Sequence, residues 1–303
     1  MPAGEGRPLL HNHPSNSKMS AQNEDDWLHT AETGSSANED FSSRADAGAT
    51  GNRSSSPLLQ RLQSVSTFIS LLLSPVAIIL VSLWASSLGG VSWKEGESKR
   101  VFNWHPVMMV TAYAVMNAGA LVFRVSGTSS YQAAVGSAPK KRGIAKVAHA
   151  STWSLTFVFG IVGILAVFRS HNDKISGYIA NLYSLHSWVG ITVLTLYTLQ
   201  FLFGILAFGG LLSRSRLRNP LTMELHKFTG TCIHILVTAT ILMGIQEKEA
   251  FVSCAYKVDS ADLMPLLNYA KIPYACKISH GLGLVILFMG LFTSFGLARF
   301  PVL

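Results

Sequence analysis

"NLYSLHSWVGITVLTLYTLQFLFGILAFGG", residues 181–210, holds no Asp, Glu, Lys or Arg, and near its start it holds a single histidine, His186. A run this long and this apolar has the length an α-helix needs to cross about 30 Å of hydrocarbon. Lipid offers the backbone no hydrogen bonds, so the segment must satisfy its own amides by helical pairing. An imidazole in such a run is costly, which marks it as functional. The rest of the chain repeats the pattern. Charge-free windows of membrane length run 62–93, 101–123, 147–168, 175–213, 228–246 and 278–298. They predict helix cores near 66–88, 104–123, 147–168, 184–211, 226–245 and 279–298. With 303 residues, 13% of them charged, and a mean hydropathy of +0.34, the chain is too apolar for an ordinary soluble domain. The expected fold is an all-α membrane protein of six transmembrane helices.

Residues 1–61 have a different composition, rich in Ser, Asn, Gly, Asp and Glu. Such a segment cannot bury enough apolar surface to offset its ordering entropy. The expected organisation is a disordered N-terminal tail, 1–61, followed by a six-helix domain, 62–303. No apolar stretch at the extreme N-terminus suggests a cleavable signal peptide, so the first span is expected to act as the insertion signal.

Basic residues set the orientation. Arg124, Lys140, Lys141, Arg142 and Lys146 follow the second span without an acid, and Arg214, Arg216, Arg218 and Lys227 follow the fourth against Glu224 alone. The other three loops are close to balanced. The positive-inside rule places the two basic loops, and with six spans both termini, in the cytoplasm. The net charge of +8 is thereby a topology signal rather than a nucleic-acid footprint.

Four of the ten histidines stand near the starts of four consecutive spans: His105, His149, His186 and His226. Antiparallel succession puts His105 and His186 in the outer leaflet and His149 and His226 in the inner one. A lone intramembrane histidine is most simply an interhelical hydrogen bond. Four at matched depths point instead to two imidazole pairs, and an imidazole pair can clamp a haem iron from both sides. His234, eight residues after His226, is expected to hydrogen-bond within the bundle. His280 is expected at the interface.

These residues resemble the cytochrome b561 family of six-helix, two-haem membrane proteins. The likeness is carried by "FNWHP" at 102–106 with "MMV" after it, "LYSLHSWVG" at 182–190, the Lys146 and His149 pair, "AVFRSHN" at 166–172, and "SRSRLRNP" at 213–220 followed by His226 and Gly230. It spans residues 66–300. The resemblance implies that helices 2–5 form a four-helix core around two haem b groups, with His105 and His186 as axial ligands of the outer one and His149 and His226 of the inner one. It further implies that Arg124 and Arg142 lie near the inner haem, and that Asn181, Leu182, Tyr183, Ser184 and Glu247 lie near the outer one. Arg142, Lys146 and Arg214 match positions that bind cytoplasmic ascorbate, and His171 and Asn172 match an outer acceptor site. The activity implied is ascorbate-dependent transmembrane electron transfer to monodehydroascorbate or a ferric chelate, by a homodimer. The sequence departs from the family pattern at Ser170, where an aromatic is expected, and at Trp153, which takes the place of a second histidine.

Two other classes stay open on the residues alone: a membrane haem-binding sensor without turnover, and a small-solute transporter whose histidines relay protons. "EGRPLL" at 5–10 has the spacing of an acidic dileucine sorting signal through Glu5, Leu9 and Leu10. It suggests an endosomal, lysosomal or vacuolar membrane, with the plasma membrane as the alternative. Cys254 and Cys276 both fall after the fifth span, on the side where disulfides persist, and are expected to pair. Cys232 lies within the span, without an obvious partner.

Overall fold

The computed structural model describes residues 56–127, 138–208, 220–252, 254 and 272–298. Six helices in it are long and apolar enough to cross a membrane. They are α1 (Pro57–Ser87), α2 (Trp104–Ser126), α3 (Ala138–His171), α4 (Leu185–Phe208), α5 (Pro220–Phe251) and α6 (Tyr274–Leu297). A short helix, Ser98–Phe102, leads into α2. Among the described residues there is no strand. The chain is an all-α, multi-pass membrane protein.

Several helices outrun the apolar windows. α3 begins at Ala138 and α5 continues to Phe251, because their polar ends stand where backbone pairing persists beyond the hydrocarbon. α1 begins at Pro57, inside the stretch expected to be disordered. Ser56 Oγ accepts from Leu59 N at 3.3 Å, and Pro57 sits at the first helical position, where its missing N–H costs nothing. Gln60, Arg61 and Gln63 dilute the hydropathy there, so the start is marked by the Ser56 cap and Pro57 rather than by an apolar run. The tail before residue 56, with Glu5, Leu9 and Leu10, lies outside the described residues.

α2, α3, α4 and α5 form a closed ring of packed neighbours, α2 on α3, α3 on α4, α4 on α5 and α5 back on α2. α1 and α6 pack on each other and on this ring, both against α2 and α6 also against α5. Their joint is built from small polar residues, as close helix approach in lipid requires. Ser70 Oγ and Thr293 Oγ1 are 2.6 Å apart, and Asn117 Nδ2 donates to Ser70 Oγ at 3.0 Å and Ser74 Oγ at 3.1 Å. Ser70, Asn117 and Thr293 are fully buried, and each finds a partner, as buried polar groups must.

At one end of the bundle a disulfide joins Cys254 to Cys276, Cα to Cα 5.8 Å. Cys276 lies in the first turn of α6 rather than in a loop. The bond ties the exit of α5 to the start of α6. Beside it Ser279 Oγ donates to Glu249 Oε1 at 2.5 Å, and His280 Nε2 is 3.7 Å from the same oxygen.

Candidate functional site

The ring of α2–α5 brings the four histidines together in pairs. At the disulfide end the His105 and His186 rings are 6.1 Å apart, centroid to centroid, and nearly perpendicular. At the opposite end His149 and His226 are 6.3 Å apart. Two metal–imidazole bonds of about 2 Å end to end, with roughly an ångström from each nitrogen to its ring centre, set ring centres about 6 Å apart. Both separations therefore fit a single metal ion between the rings.

Every one of these rings is held through Nδ1. His105 Nδ1 donates to Gly163 O at 3.1 Å, His149 Nδ1 to Gly119 O at 2.8 Å and His186 Nδ1 to Thr240 O at 3.0 Å. His226 differs, with Nδ1 2.9 Å from Gln200 Nε2, an amide donor, so the carbonyl brace holds for three of the four rings. A carbonyl on Nδ1 fixes the tautomer that leaves the Nε2 lone pair for a metal. The bracing groups follow a rule: each stands fourteen residues after the histidine of its own helix. Gly119 follows His105, Gly163 follows His149, Gln200 follows His186 and Thr240 follows His226. Fourteen residues are close to four turns, so ligand and brace share one helix face about 21 Å apart. The bracing is reciprocal. α2 and α3 each hold the other's histidine, and so do α4 and α5.

A cavity of about 280 Å³ opens around the His105 and His186 pair, with a largely apolar lining that includes Met109, Phe157 and Tyr197. Its polar lining includes His171, Asn181, Tyr183 and Glu247. Glu247 Oε2 accepts from Ser184 Oγ at 3.1 Å, and its carboxylate also takes the Tyr183 hydroxyl. Partial desolvation, then the charge and hydrogen bond of Glu247, push that hydroxyl up to about 12, so it remains a donor. Leu182, also in the lining, holds a left-handed φ of +55°, which turns the chain into α4. Asn172 is turned away, its Nδ2 donating back to Phe168 O at 2.8 Å.

His171 reaches the cavity because the loop after α3 is tied down by Asp173, which is only 5% exposed. Asp173 Oδ1 accepts from Ile175 N at 2.9 Å and Ser176 N at 2.8 Å, and Oδ2 from Gly96 N at 2.8 Å in the loop between α1 and the short helix. His171 Nδ1 then lies 3.1 Å from Asn181 Oδ1. The Ser176 amide, with those of Gly96 and Ile175, holds the Asp173 carboxyl below its ordinary 3.8 against the opposing effect of burial. A folded-state value below the unfolded one gives stability that is full above about pH 4 and lost as pH falls through the folded value. The thermal midpoint of the wild type should thus hold from neutral pH to about 5 and fall below about 4. D173N should start from the lower value at pH 7 and lack this acid limb; an acid limb identical to wild type would exclude Asp173 as its source.

At the opposite end Lys146 is exposed, one turn before His149 on α3. Arg142 lies one turn earlier on the same helix. Arg214 lies outside the described residues. Arg124 faces α1 and the end of α6, with Nη1 3.5 Å from Gln63 Oε1 and Nη2 3.2 Å from Ala298 O. His234 corrects its expectation. It is 2% exposed, and neither ring nitrogen has a hydrogen-bond partner among the described residues. Its neighbour Tyr113 lies 5.1 Å away, ring to ring, and tilted by 38°, but the Tyr113 hydroxyl is taken by Thr238 Oγ1 at 2.7 Å. Trp153 stacks on Tyr197 at 5.0 Å.

Six membrane-length helices carry one braced imidazole pair near each end of the bundle. The sequence model of the family described as eukaryotic cytochrome b561 matches residues 104–252. A lysosomal membrane ascorbate-dependent ferrireductase of Danio rerio is 32% identical over 230 residues, covering 75% of this chain and 84% of the relative. A plasma membrane ascorbate-dependent reductase of Xenopus tropicalis is 34% identical over 223 residues, 73% of this chain and 70% of the relative. A transmembrane ascorbate ferrireductase of Arabidopsis thaliana is 31% identical over 186 residues, 61% of this chain and 72% of the relative. The chain belongs to the eukaryotic cytochrome b561 family.

Proposed function

We propose that this chain is an ascorbate-dependent transmembrane reductase. It takes electrons from cytoplasmic ascorbate and passes them through two bis-histidine b haems to monodehydroascorbate or a ferric chelate on the other side. The observation that carries the reading is the pair of imidazole clamps, one near each end of the bundle, each ring braced through Nδ1. His105 and His186 would hold one haem, and His149 and His226 the other. A haem with both axial positions filled by imidazole exchanges electrons rather than binding oxygen.

The protein's own part is to bind donor and acceptor and to keep the ligands oriented. Ascorbate is an anion at neutral pH, and Lys146, Arg142 and Arg214 form the basic approach to the His149 and His226 pair. The positive-inside pattern puts that end in the cytoplasm and the disulfide on the opposite side, in keeping with where disulfides persist. His171, Asn181 and Tyr183 provide the polar wall on the acceptor side. The apolar lining excludes water from around the His105 and His186 rings. The names of the relatives support ascorbate as donor and ferric iron as acceptor. Membership of a homodimer and residence in an endosomal or lysosomal membrane complete the reading.

Stopped-flow reduction by ascorbate tests it. K146A should keep two haems per chain and be reduced several-fold more slowly at low salt. The defect should shrink as ionic strength rises, because an exposed attraction is screened beyond about 8–10 Å. Wild-type rates for K146A at low salt would remove Lys146 from the donor site. Vesicles loaded with ascorbate that fail to reduce external ferric citrate would remove the activity itself.

A further inference from the structure

The cavity at the disulfide end contains a cation that the preceding reading leaves unused. Lys248 stands near the end of α5, and its Nζ lies 4.4 Å from the centroid of the Phe102 ring. Phe102 stacks on His171 at 6.3 Å with 13° between planes, and its ring is 5.7 Å from that of His105. Lys248, Phe102, His105 and His171 line the same cavity. Among the described residues no carboxylate forms an ion pair with Lys248. Glu247 is its neighbour in sequence, but consecutive residues of a helix do not face each other. The Glu247 carboxylate is turned to Ser184 and Tyr183. The nearby charge that acts on Lys248 is another cation, Lys99. An ammonium in a low-dielectric site without a counter-charge is destabilising, and a ligand that supplies the negative charge removes the penalty. The Phe102 face holds the head group in place meanwhile through its quadrupole.

We propose that Lys248 Nζ is a carboxylate-binding point in this cavity, with Phe102 and His171 as its aromatic wall. The inference rests on reading the cavity as a haem site with an acceptor beside it. Two sources carry the required carboxylate: a propionate of the haem held by His105 and His186, and an anionic acceptor such as ferric citrate. Both present the same chemistry to the ammonium, and they separate by experiment.

The test compares wild type, K248M and K248R as full-length protein with both haems counted. K248Q repeats the comparison should K248M fail to assemble. If the carboxylate is a propionate, K248M lowers the midpoint potential of one haem without any acceptor present, since a positive charge favours the reduced form. A tenfold fall in the ratio of reduced to oxidised haem at fixed potential corresponds to about 59 mV for one electron. If the carboxylate belongs to the acceptor, the potentials stay and the KM for ferric citrate rises about tenfold with little change in kcat. K248R restores most of whichever quantity moved. A K248M or K248Q protein with two haems, wild-type potentials and a wild-type KM overturns the proposal. In that case the wild-type transport assay still stands, so this failure is distinct from a failure of the reductase reading.

Discussion

H186A should contain one haem per chain instead of two, and it should lose transmembrane reduction of ferric citrate down to background. H105A should lose the same haem, whereas H149A and H226A should each lose the other. The expectation follows from the pairing, 6.1 Å for His105 with His186 and 6.3 Å for His149 with His226. The lesions should stay local because three of the four braces are backbone carbonyls, which survive a change of side chain. Haem content, with spectral titration of the surviving haem, reads the result. Loss of the same haem from H105A and H149A would show the pairing to be wrong.

The second large effect is expected from one added methyl group. A Cβ at Gly244 would lie 2.7 Å from His186 Cε1 and 3.1 Å from its Nε2. The imidazole cannot retreat freely, since its Nδ1 is anchored to Thr240 O on the same helix as Gly244. G244A should therefore displace the ring, release the haem of the His105 and His186 pair, and destabilise the fold by about 1–3 kcal/mol, the usual range for overpacking. G190A provides the control. Its Cβ would sit 3.7 Å from Thr240 Cγ2, an ordinary contact, so two haems should remain. Two haems with unaltered spectra in G244A would mean that His186 does not lie against α5 as described.

The four histidines were legible in the sequence because depth follows from position along a charge-free run and leaflet follows from parity. Their braces were harder to read. Gly119, Gly163 and Thr240 act through main-chain oxygen, which any residue possesses, so side-chain chemistry gives no hint of the role. Gln200 was the exception that could have been found: a glutamine, 8% exposed, inside an apolar run invites a search for its partner. Phe102 and Lys248 were missed because their meeting depends on how the short helix Ser98–Phe102, packed on α3 and α2, is placed relative to the end of α5, which no local pattern encodes. Arg124 and Asn172 show the converse limit. Arg124 lies in the last turn of α2 and Asn172 just beyond α3, and sequence position does not encode that Arg124 Nη2 meets Ala298 O or that Asn172 Nδ2 donates to Phe168 O. For His234, polar character suggested a hydrogen bond, yet its neighbours' hydroxyls had already paired with each other.

The fourteen-residue interval between ligand and brace has a consequence for how such a chain can vary. The separation of the two imidazole pairs is written four times as a count of residues within a helix. Residues inserted or deleted outside the four helices therefore leave that interval untouched. A single insertion between His105 and Gly119 is another matter. It rotates the second by about 100° relative to the first, taking the support from His149 while His105 keeps its own. Damage at one membrane face would then appear as a defect at the other. The four helices act together as a measuring rod, and length changes should be tolerated everywhere except along its graduations.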